Sequence, residues 1–88
     1  MEFSKVQAIV QAAFKPHRCV AENWDYSYLR FQVTTDDGKR WSAGDTRKAP
    51  TEKIPYEDTK SVQEVVGILR KRLTAKGYRL DEWSWPED

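Results

Sequence analysis

Cysteine, histidine and methionine each occur once in the 88 residues, and glycine and proline four times each. A single Cys19 excludes an intrachain disulfide. One Cys and one His, His17, leave a tetrahedral metal site without a recognisable ligand set, so neither a metal nor a cofactor is expected. Apolar runs are equally scarce. None exceeds three residues, as at Ala12-Ala13-Phe14, against the roughly 20 that a bilayer-spanning helix needs. The opening Met1-Glu2-Phe3-Ser4-Lys5 has neither the basic nor the apolar region of an export signal. The expectation is a cytoplasmic protein that engages no membrane.

What is present is aromatic and charged. Four Trp, four Tyr and three Phe supply bulky core material for a short chain, because each ring buries about 150–250 Å². A length of 88 residues suits one domain over residues 1–88. The net charge of +1 is unevenly spread: residues 1–38 sum to −1, residues 39–79 to +6 and residues 80–88 to −4. Either the basic middle meets an anionic partner, or the acidic tail 81–88 folds back and neutralises it.

Periodicity divides the chain. Phe3, Val6, Val10, Ala13 and Phe14 recur at three- and four-residue spacings, which predicts an amphipathic first helix that Pro16 ends. Arg18 to Trp24 alternates loosely. From Ser27 to Thr35, Leu29, Phe31 and Val33 alternate with Arg30, Gln32 and Thr34, the two-residue period of a half-buried strand. Asn23-Trp24-Asp25 and Asp36-Asp37-Gly38 read as turns, and a third strand is expected near Arg40 to Ala43. Residues 44–58 read as a long surface loop. Ser61 with Glu64 fits a capping box for a second helix, whose stripe is Val62, Val65, Val66, Leu69 and Leu73 and whose stop is Gly77. Gly67 interrupts that helix, with a close approach to a neighbouring element as its rationale. Residues 78–85 are an optional edge strand. The predicted class is α+β: two helices on one face of a three- or four-stranded antiparallel sheet, in the order helix, three strands, helix, with or without a short C-terminal strand.

Three segments together, Ala13-Phe14-Lys15-Pro16-His17-Arg18-Cys19, Leu29-Arg30-Phe31 and Ile68-Leu69-Arg70-Lys71-Arg72-Leu73, resemble a family of small uncharacterised bacterial proteins known mainly from pseudomonads. The resemblance spans residues 3–75. It implies a Phe-x-Pro-x-x-Cys element, matched by Phe14, Pro16 and Cys19, and a Leu-Arg element, matched by Leu69 and Arg70. The polar insertion around Ala49 to Glu57 and the Trp-rich tail depart from it. That family carries no assigned activity, so the resemblance implies an architecture and no chemistry.

Candidate chemistry is thin. His17 and Cys19 lie two apart, hence on one face of a strand, and a Cys–His pair can supply nucleophile and base; nothing nearby announces an orienting group or an oxyanion site. Gly44-Asp45-Thr46-Arg47-Lys48 lacks the spacing of a phosphate-binding loop, and Pro50 interrupts any helix after it. Residues 42–49 superficially resemble the basic stretch that opens the last helix of double-stranded-RNA-binding domains, but here about ten residues of loop intervene before Ser61. The expectation is therefore no enzyme but a non-catalytic interaction module. Its protein-binding residues would be Trp24, Tyr26, Tyr28, Arg30, Trp83 and Trp85, and its partner another protein or a second copy. The competing arrangement has the second sheet face covered by the long loop or by the C-terminal tail, with Trp83 and Trp85 packing on the tyrosines. A weak RNA- or DNA-binding domain is the alternative, using Arg47, Lys48, Arg70, Lys71, Arg72 and Lys76, with the tail acids Asp81, Glu82, Glu87 and Asp88 competing for the same surface.

Overall fold

A computed structural model describes residues 2–42 and 53–86. The order is α1 (Phe3–Ala13), β1 (Arg18–Trp24), β2 (Tyr28–Thr34), β3 (Arg40–Ser42), β4 (Ile54–Pro55) and α2 (Thr59–Ala75). The class is the expected one, two helices and an antiparallel sheet. β2 is central: β1 pairs with it from Arg18↔Thr34 to Trp24↔Tyr28, while β3 (Val33↔Trp41) and β4 (Leu29↔Ile54) lie end to end along its other edge.

One core explains this arrangement. Leu29, Phe31 and Val33 are buried on β2, Ala21 on β1, Val6, Val10 and Ala13 on α1, and Val62, Val65, Val66, Leu69 and Leu73 on α2. Periods of two on the strands and 3.6 on the helices bring these side chains between the layers. Phe14 closes the end of α1 with its ring centroid 5.7 Å from that of Phe31. Gln7 on α1 donates to the carbonyl of Ala21 at 2.7 Å, satisfying an acceptor on the outer edge of β1.

Several expectations need correction. The cap of α2 is Asp58, whose carboxylate accepts from the Ser61 amide at 3.1 Å and from its hydroxyl at 2.7 Å. Ser61 therefore sits in the first turn, because an aspartate one turn earlier caps equally well. The first hairpin turn lies at residues 25–27 rather than 23–25, since Asn23 and Trp24 still pair with Leu29 and Tyr28. The segment read as loop contributes β4 at its end; the start of that loop lies outside the described residues. Residues 78–85 form no strand. The fourth strand is thus β4, and the C-terminal segment is a strap across the helices.

At the end of α2, Gly77 takes φ +95°, its amide donates to Thr74 O at 3.0 Å, and the Tyr78 amide donates to Leu73 O at 3.1 Å. This pair of bonds is the Schellman closure that a glycine permits. Gly67 has no such need. A Cβ built there meets nothing within 4 Å, so the close approach read from the sequence is absent. Gly67→Ala is expected to stabilise the protein by about 0.5–1 kcal/mol, the helix-propensity gain, read as a higher midpoint in urea unfolding. A loss of stability would mean that something packs against that position.

Candidate binding face of the sheet

The β1–β2 register places Arg18, Val20, Glu22 and Trp24 opposite Thr34, Gln32, Arg30 and Tyr28, and β3 sets Arg40 and Ser42 opposite Thr34 and Gln32. Paired residues share a face. These positions alternate with Ala21, Leu29, Phe31 and Val33, so they line the side turned away from α1 and α2, and no described element packs on it. Apolar surface is left in the open there: Val20 is 52% exposed, Trp24 42% and Tyr28 37%.

Cations interleave with the rings. The Arg30 guanidinium lies 5.4 Å from the Trp24 ring centre, and the Lys53 ammonium lies 5.2 Å from Trp24 and 5.9 Å from Tyr28. Glu22 approaches Arg30 at 4.0 Å. A shallow depression of about 300 Å³ runs beside them between Val20, Glu22, Arg30, Gln32 and Ser42. Lys53 arrives because β4 pairs with β2 at Tyr28↔Pro55 and Leu29↔Ile54.

Tyr26 does not share this face. It stands in the hairpin turn, 89% exposed, with φ +61° after Asp25 at φ +50°. Two consecutive left-handed residues match a tight primed turn, and the Ser27 amide closes it on Trp24 O at 3.3 Å. A bulky ring is an uncommon choice for that backbone.

The other predicted site residues are dispersed. Trp83 and Trp85 pack edge to face, centroids 6.3 Å apart, against the helical side of the core, not over Tyr26 and Tyr28. Arg70 lies 5.5 Å from the Trp83 ring and donates to Ala13 O and to Asp81 O. Burial lowers its pKa, and nearby Asp81 acts in the opposite direction. At 100° per residue, Arg70 and Arg72 flank the buried stripe on opposite sides, Lys71 points outward between them, and Lys76 reaches the Trp41 ring at 5.4 Å. The four cations assigned to one helix face therefore do not form one. Arg47 and Lys48 lie outside the described residues, as do Glu87 and Asp88.

The Cys–His pair lacks the electrostatics of a nucleophile. Burial pushes the Cys19 thiol up to about 12, so it is protonated at neutral pH, the reverse of what a reactive cysteine needs. His17 is buried, and its Nε2 donates to Arg79 O at 2.8 Å. Among the described residues no group of three or more His, Cys, Asp or Glu is placed to hold a metal ion, and no helix is long and apolar enough to cross a membrane.

Sequence reasoning found Trp24, Tyr28 and Arg30 but missed Arg18, Val20, Arg40 and Lys53. Strand alternation was the available signal for the first three, once Cys19 and Ala21 are taken as the inward side of β1 and Trp41 as that of β3. Lys53 had none, because its place depends on a pairing 25 residues away in sequence, Leu29↔Ile54. No family model, curated protein or solved structure matches the chain.

Proposed function

We propose that the protein is a non-catalytic binding module whose contact surface is the open face of the sheet, centred on Trp24, Tyr28 and Arg30. The observation that carries this reading is the exposure of two aromatic rings and Val20 together on a sheet face that no described element covers. Antiparallel sheets commonly turn one face to water, but that face is then lined by polar side chains. Clustered rings with a charged rim are instead the composition of contact surfaces. The protonated Cys19 thiol and the engagement of His17 with the strap support a non-catalytic role.

A light-activated crosslinker tests it. Placed at Val20 on the open face, p-benzoylphenylalanine is expected to give covalent adducts in the cell of origin. The same residue at Gln63, exposed on α2, should give none. Adducts of equal yield from both positions, or from neither, would overturn the reading. A product of twice the chain's mass would identify a second copy as the partner.

A further inference from the structure

We infer that the occupant of this face is single-stranded nucleic acid, an inference that rests on the binding-module reading above. Charge sorted over the fold differs from charge sorted along the chain. Among the described residues, the open face gathers Arg18, Arg30, Arg40 and Lys53 against the one carboxylate of Glu22, a net of +3. The whole chain sums to +1, so everything else sums to −2. Among the described residues, cationic character is therefore concentrated on a face that also exposes two aromatic rings and Val20.

The arrangement fits bases and phosphates together. Arg18 and Arg40 sit opposite Thr34 at one end of the face, while Trp24, Tyr28 and Lys53 cluster at the other. Seven residues of β1 make the strip roughly 20 Å long at about 3.4 Å per residue, enough for a short run of nucleotides. Stacking on aromatic rings is open to every base, and flanking cations track the backbone. A duplex hides its bases from such a face, and its grooves take a helix or a ribbon instead. A protein partner is the poorer fit, because the core of a protein interface is depleted of lysine, whereas here the Lys53 ammonium lies 5.2 Å from the Trp24 ring centre. The exposed, left-handed Tyr26 extends the aromatic end beyond the strands; unfavourable backbone of this kind gathers at functional sites.

The experiment titrates the full chain into labelled ten-nucleotide oligouridylate and oligoadenylate, and into a duplex of the same length, at about 50 mM salt. Binding of the single strands is expected, with log affinity falling against log salt at a slope of about −2 to −3, from three or four phosphates at roughly −0.7 each. Trp24→Ala and Tyr28→Ala should each weaken binding about ten-fold through the lost stacking surface. An Arg18→Gln, Arg40→Gln double variant, at exposed positions away from the core, should flatten the salt slope by about 1.4, two contacts at roughly 0.7 each. Lys71→Gln on α2 should change nothing. Absence of single-strand binding at tens of micromolar protein, equal affinity for the duplex, or tighter binding of oligoglutamate would each overturn the inference. If the oligonucleotides fail while the Val20 crosslinker still captures a protein, the binding module stands and the nucleic acid falls. If both fail, both readings fall.

Discussion

Phe14→Ala is expected to remove about 3–5 kcal/mol of stability, the cost of truncating a buried aromatic ring and leaving a cavity. The ring is fully buried. It sits where α1 ends and stacks at 25° on Phe31 in the middle of β2, so it joins the first helix to the central strand at the point where the chain turns into the sheet. A domain of 88 residues has a total stability of roughly 4–13 kcal/mol, so the variant loses a large share of it and should unfold at a clearly lower urea concentration. Phe14→Leu keeps most of the volume and should cost under about 1.5 kcal/mol. Urea unfolding followed by circular dichroism separates the two. A loss below about 1 kcal/mol for the alanine variant would show that the Phe14–Phe31 stack is not part of the core.

The elements legible in the sequence are those whose signal is local. The four- and three-residue steps of Val6, Val10 and Ala13 gave α1, the alternation of Leu29, Phe31 and Val33 gave β2, and the five-residue stripe beginning at Val62 gave α2. Asp36-Asp37-Gly38 was readable as a turn because Gly38 has to take φ +82°. β1 read only loosely, since Val20 faces solvent where an apolar residue would be expected inward. β4 was invisible: two residues carry no period, and their partner lies far away in sequence. The candidate site follows the same rule. Trp24, Tyr28 and Arg30 come from one hairpin and could be placed by alternation, whereas Lys53 depends on β4. The helical cations were misplaced for a different reason. Arg70, Lys71 and Arg72 are contiguous in sequence, but contiguity on a helix spreads side chains through 200°, and the shortest route from Arg70 leads to the α1 carboxyl end and the strap.

The strap itself carries the second large prediction. From the sequence, residues 81–88 are an acidic tail competing with an anionic partner for the same surface. In the structure the segment after Gly77 completes the helical side of the core: Tyr78, Leu80, Trp83 and Trp85 pack against it. Three elements hold it down. The Asp81 amide donates to Lys15 O at 2.8 Å, His17 Nε2 donates to Arg79 O at 2.8 Å, and Arg70 spans Ala13 O and Asp81 O. Ending the chain after Gly77 is therefore expected to cost about 3–7 kcal/mol, from four half-buried apolar side chains at roughly 0.5–1 kcal/mol each and two or three hydrogen bonds at about 0.5–1 kcal/mol each. The acid limb changes too. Asp37 is held at about 2, below its ordinary 3.8, first by the Thr35 hydroxyl and then by that of Tyr78, which donates at 2.5 Å. A depressed carboxylate adds stability that is present above the ordinary value of 3.8 and disappears as the pH falls toward 2. Tyr78→Phe removes that hydroxyl while keeping the ring between His17 and Trp41, and should make stability fall less steeply between pH 4 and pH 2. Thermal unfolding of the truncated chain and of Tyr78→Phe, scanned from pH 7 to pH 2, checks both expectations. An unchanged melting temperature after truncation would return the segment to a loose acidic tail, and an unchanged acid limb in Tyr78→Phe would leave Thr35 and Lys39 to hold the Asp37 carboxylate without it.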